Sequence, residues 1–565
     1  MTCRLLVRTC AALSLVTVPA TMAAQVIRGT ITAEGGVSPV RGAVVTLLDT
    51  RGATAGRRTL TDVRGAFALR APSAGAWSLE VRAIGYSPLR TRARQIATGE
   101  TVIEDVSLRR IVTRLAALRV EARSECRRAA DLDPVASEVW DDVWAALASS
   151  EVARDLRLVR AEVFVYTREV DVPTNRVTWE ERGLASVLDE RPFRTAPAAE
   201  LTSLGFWRRS ALGNVEFYGI DAGTLISTEF LGTHCFSLVR RDSGGVPRIG
   251  LSFRPVNSRA TADVQGTLWV DPDTRELRLL DFTYTGLRLR GPAAGGSMRF
   301  SRLDSGLLVD DLWTIQHPFE QARPPGAQRT GRGAAPAPEA RREQAGTTVR
   351  LGGGFVLTDS ARRRQFAMIL GRAAHGGVAA EATTVEILGG GQRYTTDSSG
   401  AFLLRDVLPG TYEMRLLRQG SDEEGGFVQH GQLVLAGGDV ARVDLNVPDA
   451  GQIAGELCPG RRLDGGLAPL FGVLRHLQTG HPAANYQVEL QWTPPADSTG
   501  RPLGSSGAAR VLSDWRGEFV ACDVPSGGMV RFRTTVNEAP WSPAIPAGRQ
   551  LRVIEIAIDT STTSG

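Results

Sequence analysis

Few residues could carry out chemistry, because the chain has only six histidines among its 565 residues. The sharpest arrangement is His317-Pro318-Phe319-Glu320 with His430, which lies 113 residues after His317. Two histidines and a glutamate can hold a catalytic zinc ion that activates water for peptide hydrolysis. The intervening residues, however, are a run rich in Arg, Pro, Gly and Ala and then short strand patterns, which do not make the large sheet that such a site needs. We therefore expect His317 to be an ordinary residue at a strand end.

Other catalytic patterns do not occur in the sequence. It contains no G-x-S-x-G motif and no glycine-rich nucleotide-binding loop of the Walker or G-x-G-x-x-G type. We predict a non-enzymatic protein without catalytic, cofactor-binding or metal-binding residues.

The most informative feature is a pattern, [ST]-D-x-x-G-x-F, that occurs three times. An aspartate after Ser or Thr is predicted to cap backbone amides, the glycine to take a positive φ, and the phenylalanine to begin a strand that faces a core. Calcium binding by these aspartates is disfavoured, since the further alternating carboxylates that a hard cation requires are missing. The three copies are Asp62, Gly65 and Phe67; Asp397, Gly400 and Phe402; and Asp514, Gly517 and Phe519.

Around each turn, apolar and polar residues alternate with a period of two over short segments. Examples are residues 76–81 after the first turn and residues 408–416 after the second. Each unit spans about 80 to 100 residues with regularly spaced turns, which is typical of a β-sandwich.

These features together resemble the carboxypeptidase regulatory-like domains of the transthyretin-like sandwich type. The resemblance rests on a G-x-[IV] strand, a proline-led strand at residues 39–48, the T-D-x-x-G-x-F turn, a G-x-[WY]-x-[LM] strand and a Gly85-Tyr86 corner. The first unit matches throughout, and the other two match more loosely. Such domains are accessory, so the resemblance implies adhesion or spacing rather than catalysis.

Between the first and second units lies a region of a different kind. Residues 137–156 carry Val139, Trp140, Val143, Trp144 and Leu147 at spacings of three and four, which predicts a helix with one buried face. Long strand patterns follow, and a run of antiparallel strands over one helix resembles the half-barrel of periplasmic lipoprotein carriers. That resemblance implies an apolar cavity.

The predicted fold is mainly β: three transthyretin-like β-sandwich modules around a central antiparallel β half-barrel with an N-terminal helix. Residues 321–344 lack periodicity and are predicted to form a basic Pro/Gly/Arg-rich loop inside the central domain, followed by a strand that returns to the half-barrel. The predicted segments are a signal peptide (1–24), module 1 (25–109), a linker (110–125), the central domain (126–365), module 2 (366–450) and module 3 (451–560).

Export is predicted from the N-terminus and the cysteines. Arg4 and Arg8 precede a short apolar stretch at residues 11–20 and small residues up to Ala24, which is the pattern of a secretory signal peptide. We expect no transmembrane segment in the mature chain, and a location in the periplasm, at the outer membrane or outside the cell.

Four cysteines remain after cleavage, an even number that suits an oxidising compartment and allows three pairings. We favour the two pairs that would each lie within one predicted domain. These pairs are Cys126 with Cys235, and Cys458 with Cys522.

The charge balance disfavours nucleic acid as a partner. All 66 basic residues are arginines, set against 61 acidic residues, and loss of Arg4 and Arg8 with the signal peptide lowers the formal charge from +5 to +3. A nucleic-acid-binding protein is expected to carry a larger basic excess.

Two functions remain at this point. The preferred one is binding of an envelope or extracellular polymer, either polysaccharide or protein, through the modules; exposed tryptophans are then candidates for a ligand platform, although such residues are more often core. The alternative is a carrier of a lipid or another apolar molecule in the central half-barrel. The candidate platform residues are Trp77, Trp492, Trp515 and Trp541.

Overall fold

The structure is a computed structural model that describes residues 25–112, 115, 126–187, 195–209, 215–243, 246–256, 262–286, 293–319, 340–352, 365–419, 427–461, 463, 466–535 and 539–559. The predicted signal peptide and most of the predicted linker lie outside the described residues. The chain divides into two compact units, residues 1–113 and 114–565. Strands dominate both units, which confirms the prediction of a mainly β fold.

Module 1 is a two-sheet sandwich. One sheet has the order β4-β1-β8 with β9 also paired to β1, and the other has the order β3-β2-β5-β6 with β7 also paired to β5. Side chains such as Ile31, Leu47 and Val81 fill the core and are fully buried. The strands are β1 (Val26–Ala33), β2 (Val44–Leu48), β3 (Thr54–Leu60), β4 (Ala66–Arg70), β5 (Gly75–Arg82), β6 (Leu89–Arg90), β7 (Arg94–Ile96), β8 (Thr101–Ile103) and β9 (Val106–Leu108).

The central domain opens with a short 3-10 helix, Ala129–Asp131, and then a long helix, α1 (Pro134–Asp155). Helix α1 begins where it does because the Asp133 carboxylate accepts hydrogen bonds from the amides of Val135 and Ala136, and because proline suits the first helical position. The other helices are α2 (Ala198–Leu204), α3 (Ala222–Leu225) and α4 (Thr228–Thr233).

The strands of the central domain form one antiparallel sheet with the order β14-β15-β16-β17-β18-β19-β20-β10-β11 and a separate hairpin of β12 and β13. Helix α1 packs against β15, β16, β17 and β19 of this sheet. The strands are β10 (Arg160–Asp171), β11 (Arg176–Val187), β12 (Trp207–Arg209), β13 (Val215–Phe217), β14 (His234–Ser243), β15 (Val246–Pro255), β16 (Asp263–Val270), β17 (Leu277–Thr285), β18 (Gly295–Arg302), β19 (Leu308–Phe319) and β20 (Ala340–Gly352).

The predicted loop 321–344 was given the wrong C-terminal boundary, because strand β20 occupies its last residues. This strand begins at Ala340, inside the segment 321–344, and pairs with β19 on one side and β10 on the other. Its polar residues are used within the sheet: Glu343 pairs with Arg168 at 2.8 Å, and Arg342 pairs with Glu169 at 2.7 Å. The strand therefore tolerates a sequence that lacks apolar alternation.

Module 2 also has two sheets, and one of them continues the central sheet. Strand β26 pairs with β23 and β27 inside the module and pairs in parallel with β11, through Arg176 and Thr411. The central domain and module 2 therefore share a sheet of 13 strands. The strands of module 2 are β21 (Ala367–His375), β22 (Val378–Ala379), β23 (Thr384–Leu388), β24 (Gln392–Thr395), β25 (Ala401–Val407), β26 (Gly410–Arg418), β27 (Phe427–Leu435) and β28 (Val440–Val447).

Module 3 follows the short helix α5 (Ala450–Leu457), and its two sheets have the orders β32-β29-β35 and β31-β30-β33-β34. Phe471 and Val553 of this module are buried in the same apolar cluster as Ile387 and Tyr412 of module 2. Modules 2 and 3 therefore pack as one body. The strands are β29 (Leu470–His476), β30 (Gln487–Thr493), β31 (Gly507–Leu512), β32 (Glu518–Ala521), β33 (Met529–Thr534), β34 (Ile545–Pro546) and β35 (Arg552–Ile558).

The [ST]-D-x-x-G-x-F turn has one geometry in all three modules. In module 1 the Asp62 carboxylate accepts hydrogen bonds from the amides of Arg64 and Ala66, and the Thr61 hydroxyl joins the amide of Ala43 to the carbonyl of Val40. Asp397 and Asp514 make the same pair of contacts two and four residues on, and Thr396 and Ser513 make the same bridge.

The glycine of the turn is required for two reasons, its positive φ and its close contact with the neighbouring strand. Gly65, Gly400 and Gly517 have φ values of 75°, 73° and 73°. A Cβ on each would lie 2.3 to 2.4 Å from a carbonyl oxygen of the neighbouring strand. The phenylalanine that follows lies opposite a glycine of that strand, in the pairs Gly29–Phe67, Gly371–Phe402 and Gly472–Phe519.

Both predicted disulfides are present, with sulfur–sulfur distances of 1.96 Å for Cys126–Cys235 and 2.05 Å for Cys458–Cys522. The first ties the segment before α1 to β14, and the second ties the end of α5 to the residue after β32. Among the helices that the structure describes, none is long and apolar enough to cross a membrane.

Candidate functional site

The candidate site is a cleft at one edge of module 3. Its lining comes from β33 of one sheet, from the end of β35 of the other sheet and from the segment 539–542. Its volume is about 300 Å³. The lining residues are Phe532, Arg533, Thr534, Ala539, Pro540, Ser542, Ile556, Ala557, Ile558 and Asp559.

Trp541 lies in the segment that borders this cleft, and its neighbour anchors it. The Ser542 amide donates to the Phe532 carbonyl at 2.8 Å, and the Phe532 amide donates to the Ser542 hydroxyl at 3.0 Å. These two hydrogen bonds fix the segment to β33. Trp541 itself is half-buried.

Two arginines lie against the Trp541 indole. The guanidinium carbons of Arg531 and Arg533 are 5.0 Å and 4.8 Å from the ring centroid, within cation–π range. Both side chains project from the same face of β33, since they are two residues apart on one strand.

A row of polar side chains holds these arginines in place. Glu489 on β30 accepts from Arg533 at 2.7 Å and pairs on its other side with Arg510 of β31 at 2.8 Å. The hydrogen bond from Arg533 lowers the pKa of Glu489 below its usual value. Gln491 accepts from Arg531 at 3.0 Å. A flat aromatic face next to fixed donors and acceptors is suited to a ligand that has both apolar and hydroxylated surfaces.

The sequence singled out Trp541 but missed the groups around it. A signal was present, because Arg531-Phe532-Arg533 and Glu489-Leu490-Gln491 each place two polar residues on one strand face with an apolar residue between them. The pairing of β30 with β33, which brings the two patterns together, has no local signal.

The other three candidate tryptophans have different environments. Trp492 is 9% exposed and belongs to the core of module 3, so it is not on a surface platform. Trp77 is half-buried against the core of module 1, and its indole N–H donates to the Ser73 carbonyl at 3.0 Å. Trp515 has the guanidinium groups of Arg176 and Arg516 over its ring, at 4.4 and 5.1 Å.

The histidines of the zinc hypothesis have ordinary packing partners. His317 stacks on Phe217 with ring centroids 4.5 Å apart, and burial lowers the pKa of its imidazole. His430 lies 2.8 Å from a Glu518 carboxylate oxygen. Glu320 lies outside the described residues. Within the part of the chain that the structure describes, no group of three His, Cys, Asp or Glu residues is disposed to hold a metal ion.

Modules 2 and 3 are joined by a buried cluster of charges, which we call the ionic clamp: Glu386, Arg415, Arg475 and Glu518. Arg415 is fully buried; its Nη2 lies 2.6 Å from Glu386 and its Nη1 lies 2.6 Å from Glu518. Sequence reasoning missed this cluster, because each member occupies an ordinary strand position.

A second buried polar group lies where β11 meets β26. The Tyr412 hydroxyl donates to a Glu180 carboxylate oxygen at 3.2 Å, and Arg168 donates to the Pro409 carbonyl at 2.8 Å. Burial raises the pKa of Glu180 to about 7, against the opposing effect of Arg182 and Arg168.

Aromatic side chains fill part of the central domain. Phe206, Phe230, Phe236 and Phe253 are each at most 1% exposed. Phe230 makes edge-on ring contacts with Phe206 and Phe253, and Trp140 of α1 packs on Phe236 with centroids 5.1 Å apart. Trp140, one residue of the stripe predicted for α1, therefore packs into an aromatic core.

Module 1 has the two-sheet architecture that its sequence predicted, and residues 26–109 match the family model of the carboxypeptidase regulatory-like domain. The resemblance inferred from the sequence is thus confirmed for this module. No curated protein matches the chain.

Solved structures that align with the chain include three bacterial proteins. A streptococcal ancillary pilin has 9% identity and a TM-score of 0.14, with 47% of this chain and 81% of that chain covered. The TIE protein of Bacillus anthracis has 8% identity and a TM-score of 0.16, with 62% and 63% covered. A DUF3823 family protein from Parabacteroides merdae has 15% identity and a TM-score of 0.12, with 32% and 98% covered.

Proposed function

We propose that the chain is an exported, non-enzymatic protein that binds an envelope or extracellular polysaccharide at the Trp541 surface of module 3. This surface comprises Trp541, Arg531, Arg533, Glu489 and Gln491. The division into a signal peptide, three modules and a central domain, with the boundaries given above, is part of this proposal.

Export is supported by the two disulfides, which form and persist in oxidising compartments. The signal-like residues 1–24 agree with this location.

The observation that carries the proposal is the placement of Trp541 beside a cleft of about 300 Å³, with Arg531 and Arg533 fixed against its ring. Glu489 and Gln491 accept hydrogen bonds from these two guanidinium groups and so restrict their positions. A sugar ring can stack on the indole and exchange hydrogen bonds with the fixed polar row, with little ordering cost.

The test is retention on insoluble polysaccharides, namely cellulose, chitin and peptidoglycan, with the mature chain and its Trp541→Ala variant. Retention on at least one of them, lost in the variant, is expected. Trp515→Ala is the matched control, since Trp515 also carries two guanidinium groups but lies at the contact of β11 with module 3. Circular dichroism establishes that both variants fold. Equal retention of Trp541→Ala and the parent chain would refute the proposal.

The alternative is a lipid carrier that uses the central domain, and the observation in its favour is the antiparallel sheet with α1 packed across it. The buried phenylalanines of that domain pack on one another, so we place this function second. Native mass spectrometry of the protein purified from a periplasm distinguishes the two: a bound lipid on the intact chain supports the carrier, and a clean mass with two disulfides supports the polymer-binding protein.

A further inference from the structure

The charges of the mature chain are distributed unevenly. Residues 25–109 contain 12 arginines and 7 acidic residues, a formal charge of +5, whereas residues 110–565 contain 52 arginines and 54 acidic residues, a formal charge of −2. Module 1 is therefore basic, although the formal charge of the whole mature chain is small.

The acidic residues of module 1 are largely engaged by the module itself. Asp49, Asp62 and Asp105 accept hydrogen bonds from backbone amides within module 1. Glu80 pairs with Arg82 at 3.2 Å, and Glu104 pairs with Arg94 at 2.8 Å. Of the 12 arginines of the module, 10 are exposed and Arg58 and Arg82 are half-buried, so the surface potential of this module is positive.

Several arginines share one face of the sheet β3-β2-β5-β6. Arg58, Thr46, Glu80 and Arg90 lie in one cross-strand row, because Thr46 pairs with Arg58 and Glu80, and Glu80 pairs with Arg90. This row points away from the core, since Val45, Leu47, Leu79 and Val81, which alternate with it, are core residues.

Two further arginines extend the row. Arg82 lies two residues beyond Glu80 on the same face of β5. The turn at Gly52 lies against Arg90, since a Cβ on Gly52 would be 2.6 Å from Arg90 Nη1, and the adjacent Arg51 side chain is 89% exposed. We call this surface the arginine face: Arg51, Arg58, Arg82 and Arg90.

We propose that the arginine face binds an acidic polysaccharide, a glycan chain that bears carboxylates or phosphates. Guanidinium groups bind such anions with paired N–H donors. Arg58 and Arg90 stand three strand spacings apart, about 14 Å, so one small anion does not reach both, whereas a linear polymer with repeated acidic groups does.

A membrane surface is a poorer match. The exposed large apolar residues of module 1 are Val37, Val63 and Ile103, which lie in two turns and on β8 of the other sheet. The arginine face therefore lacks apolar side chains that would insert between lipids. This proposal concerns a different surface from Trp541 and does not depend on it.

The test uses the mature full-length chain with polygalacturonate as the acidic probe and dextran as the neutral one, at low ionic strength where exposed charges are little screened. Isothermal titration is expected to show binding of polygalacturonate and not of dextran. Arg58→Gln with Arg90→Gln is expected to weaken this binding about tenfold. Arg28→Gln with Arg70→Gln removes the same charge from the outer face of the other sheet and is expected to leave affinity nearly unchanged.

Equal loss in both double variants, or no binding of polygalacturonate by the parent chain, overturns the proposal. Tighter association with vesicles of phosphatidylglycerol and phosphatidylcholine than with polygalacturonate also overturns it, in favour of a membrane partner. Trp541→Ala should keep its affinity for polygalacturonate, which separates failure of this proposal from failure of the proposed function.

Discussion

Arg475 of module 3 donates from Nη1 to Oε1 of Glu386 in module 2 at 2.6 Å, and the two side chains are 4% and 2% exposed. Burial alone would raise the pKa of Glu386, but the guanidinium groups of Arg415 and Arg475 lower it below its usual value. The contact between the modules therefore depends on charges that are removed from water and are satisfied by each other and by neighbouring groups such as Glu555 and His430.

Removal of one partner from the ionic clamp should be costly. Arg475→Met leaves part of the Glu386 charge uncompensated in the interior, and we expect a loss of about 3 kcal/mol in the free energy of unfolding, measured in urea. Arg461→Met is the control, because Arg461 and Asp523 form an exposed pair with side chains 58% and 51% accessible. That variant should change stability by less than about 0.5 kcal/mol. Similar losses in the two variants would contradict a structural role for the clamp.

The repeated turn offers a matched pair of glycines within module 3. Gly517 and Gly500 both have positive φ, 73° and 84°, but a Cβ on Gly517 would lie 2.3 Å from the Leu474 carbonyl oxygen, whereas a Cβ on Gly500 has no neighbour within 4 Å. Gly500→Ala should cost about 1 kcal/mol for the backbone conformation alone. Gly517→Ala should cost at least twice as much, because a strand must also move. Thermal unfolding of the two variants checks this, and equal costs would show that the strand contact is unimportant.

The turn also shows how far the sequence could predict the fold. Three copies were found from the [ST]-D-x-x-G-x-F pattern, but Asp49 and Asp497 build the same turn with Gly52 and Gly500. These two lack the leading Ser or Thr and the trailing Phe, because they connect strands at the surface and do not bridge to a second sheet. The aspartate and glycine therefore define the turn, and the other positions define where it packs.

Contacts between distant segments could not be predicted in this way. Arg176 and Thr411 join the central sheet to module 2, yet neither residue is unusual within its own strand. Period-two patterns predict that a strand exists and which face is buried, but not which partner lies at its edge. The same limit explains why Trp541 could be identified from the sequence and the arginines beside it could not.

The disulfide of module 3 should contribute strongly to its stability. Cys458 and Cys522 close a loop with a sequence separation of 64 residues, and cross-linking a loop of this length restricts the unfolded chain. We expect Cys458→Ser with Cys522→Ser to lower the free energy of unfolding by about 2 to 4 kcal/mol. Addition of a reductant should destabilise the parent chain and leave this variant less affected. A variant as stable as the parent would contradict the expectation.

Glu180 should make stability depend on pH. Its pKa is raised to about 7 in the folded chain by burial, above the value of about 4.3 for an unperturbed glutamate. Between these two values the folded state holds a proton that the unfolded state has lost, so stability should fall as pH rises from about 4.5 to 7, by up to roughly 3 kcal/mol. Above pH 7 this group contributes no further slope.

Glu180→Gln tests this directly, because the amide stays neutral and can still accept the hydrogen bond from Tyr412. The variant should match the parent chain near pH 5 and exceed its stability near pH 8, where the parent carries a buried charge. Glu489→Gln is the control: the pKa of Glu489 is lowered below its usual value, so this change should preserve the fall in stability between pH 5 and 7. Urea unfolding at several pH values provides the measurement. An unchanged pH slope in Glu180→Gln would show that Glu180 is ionised in the folded chain across this range.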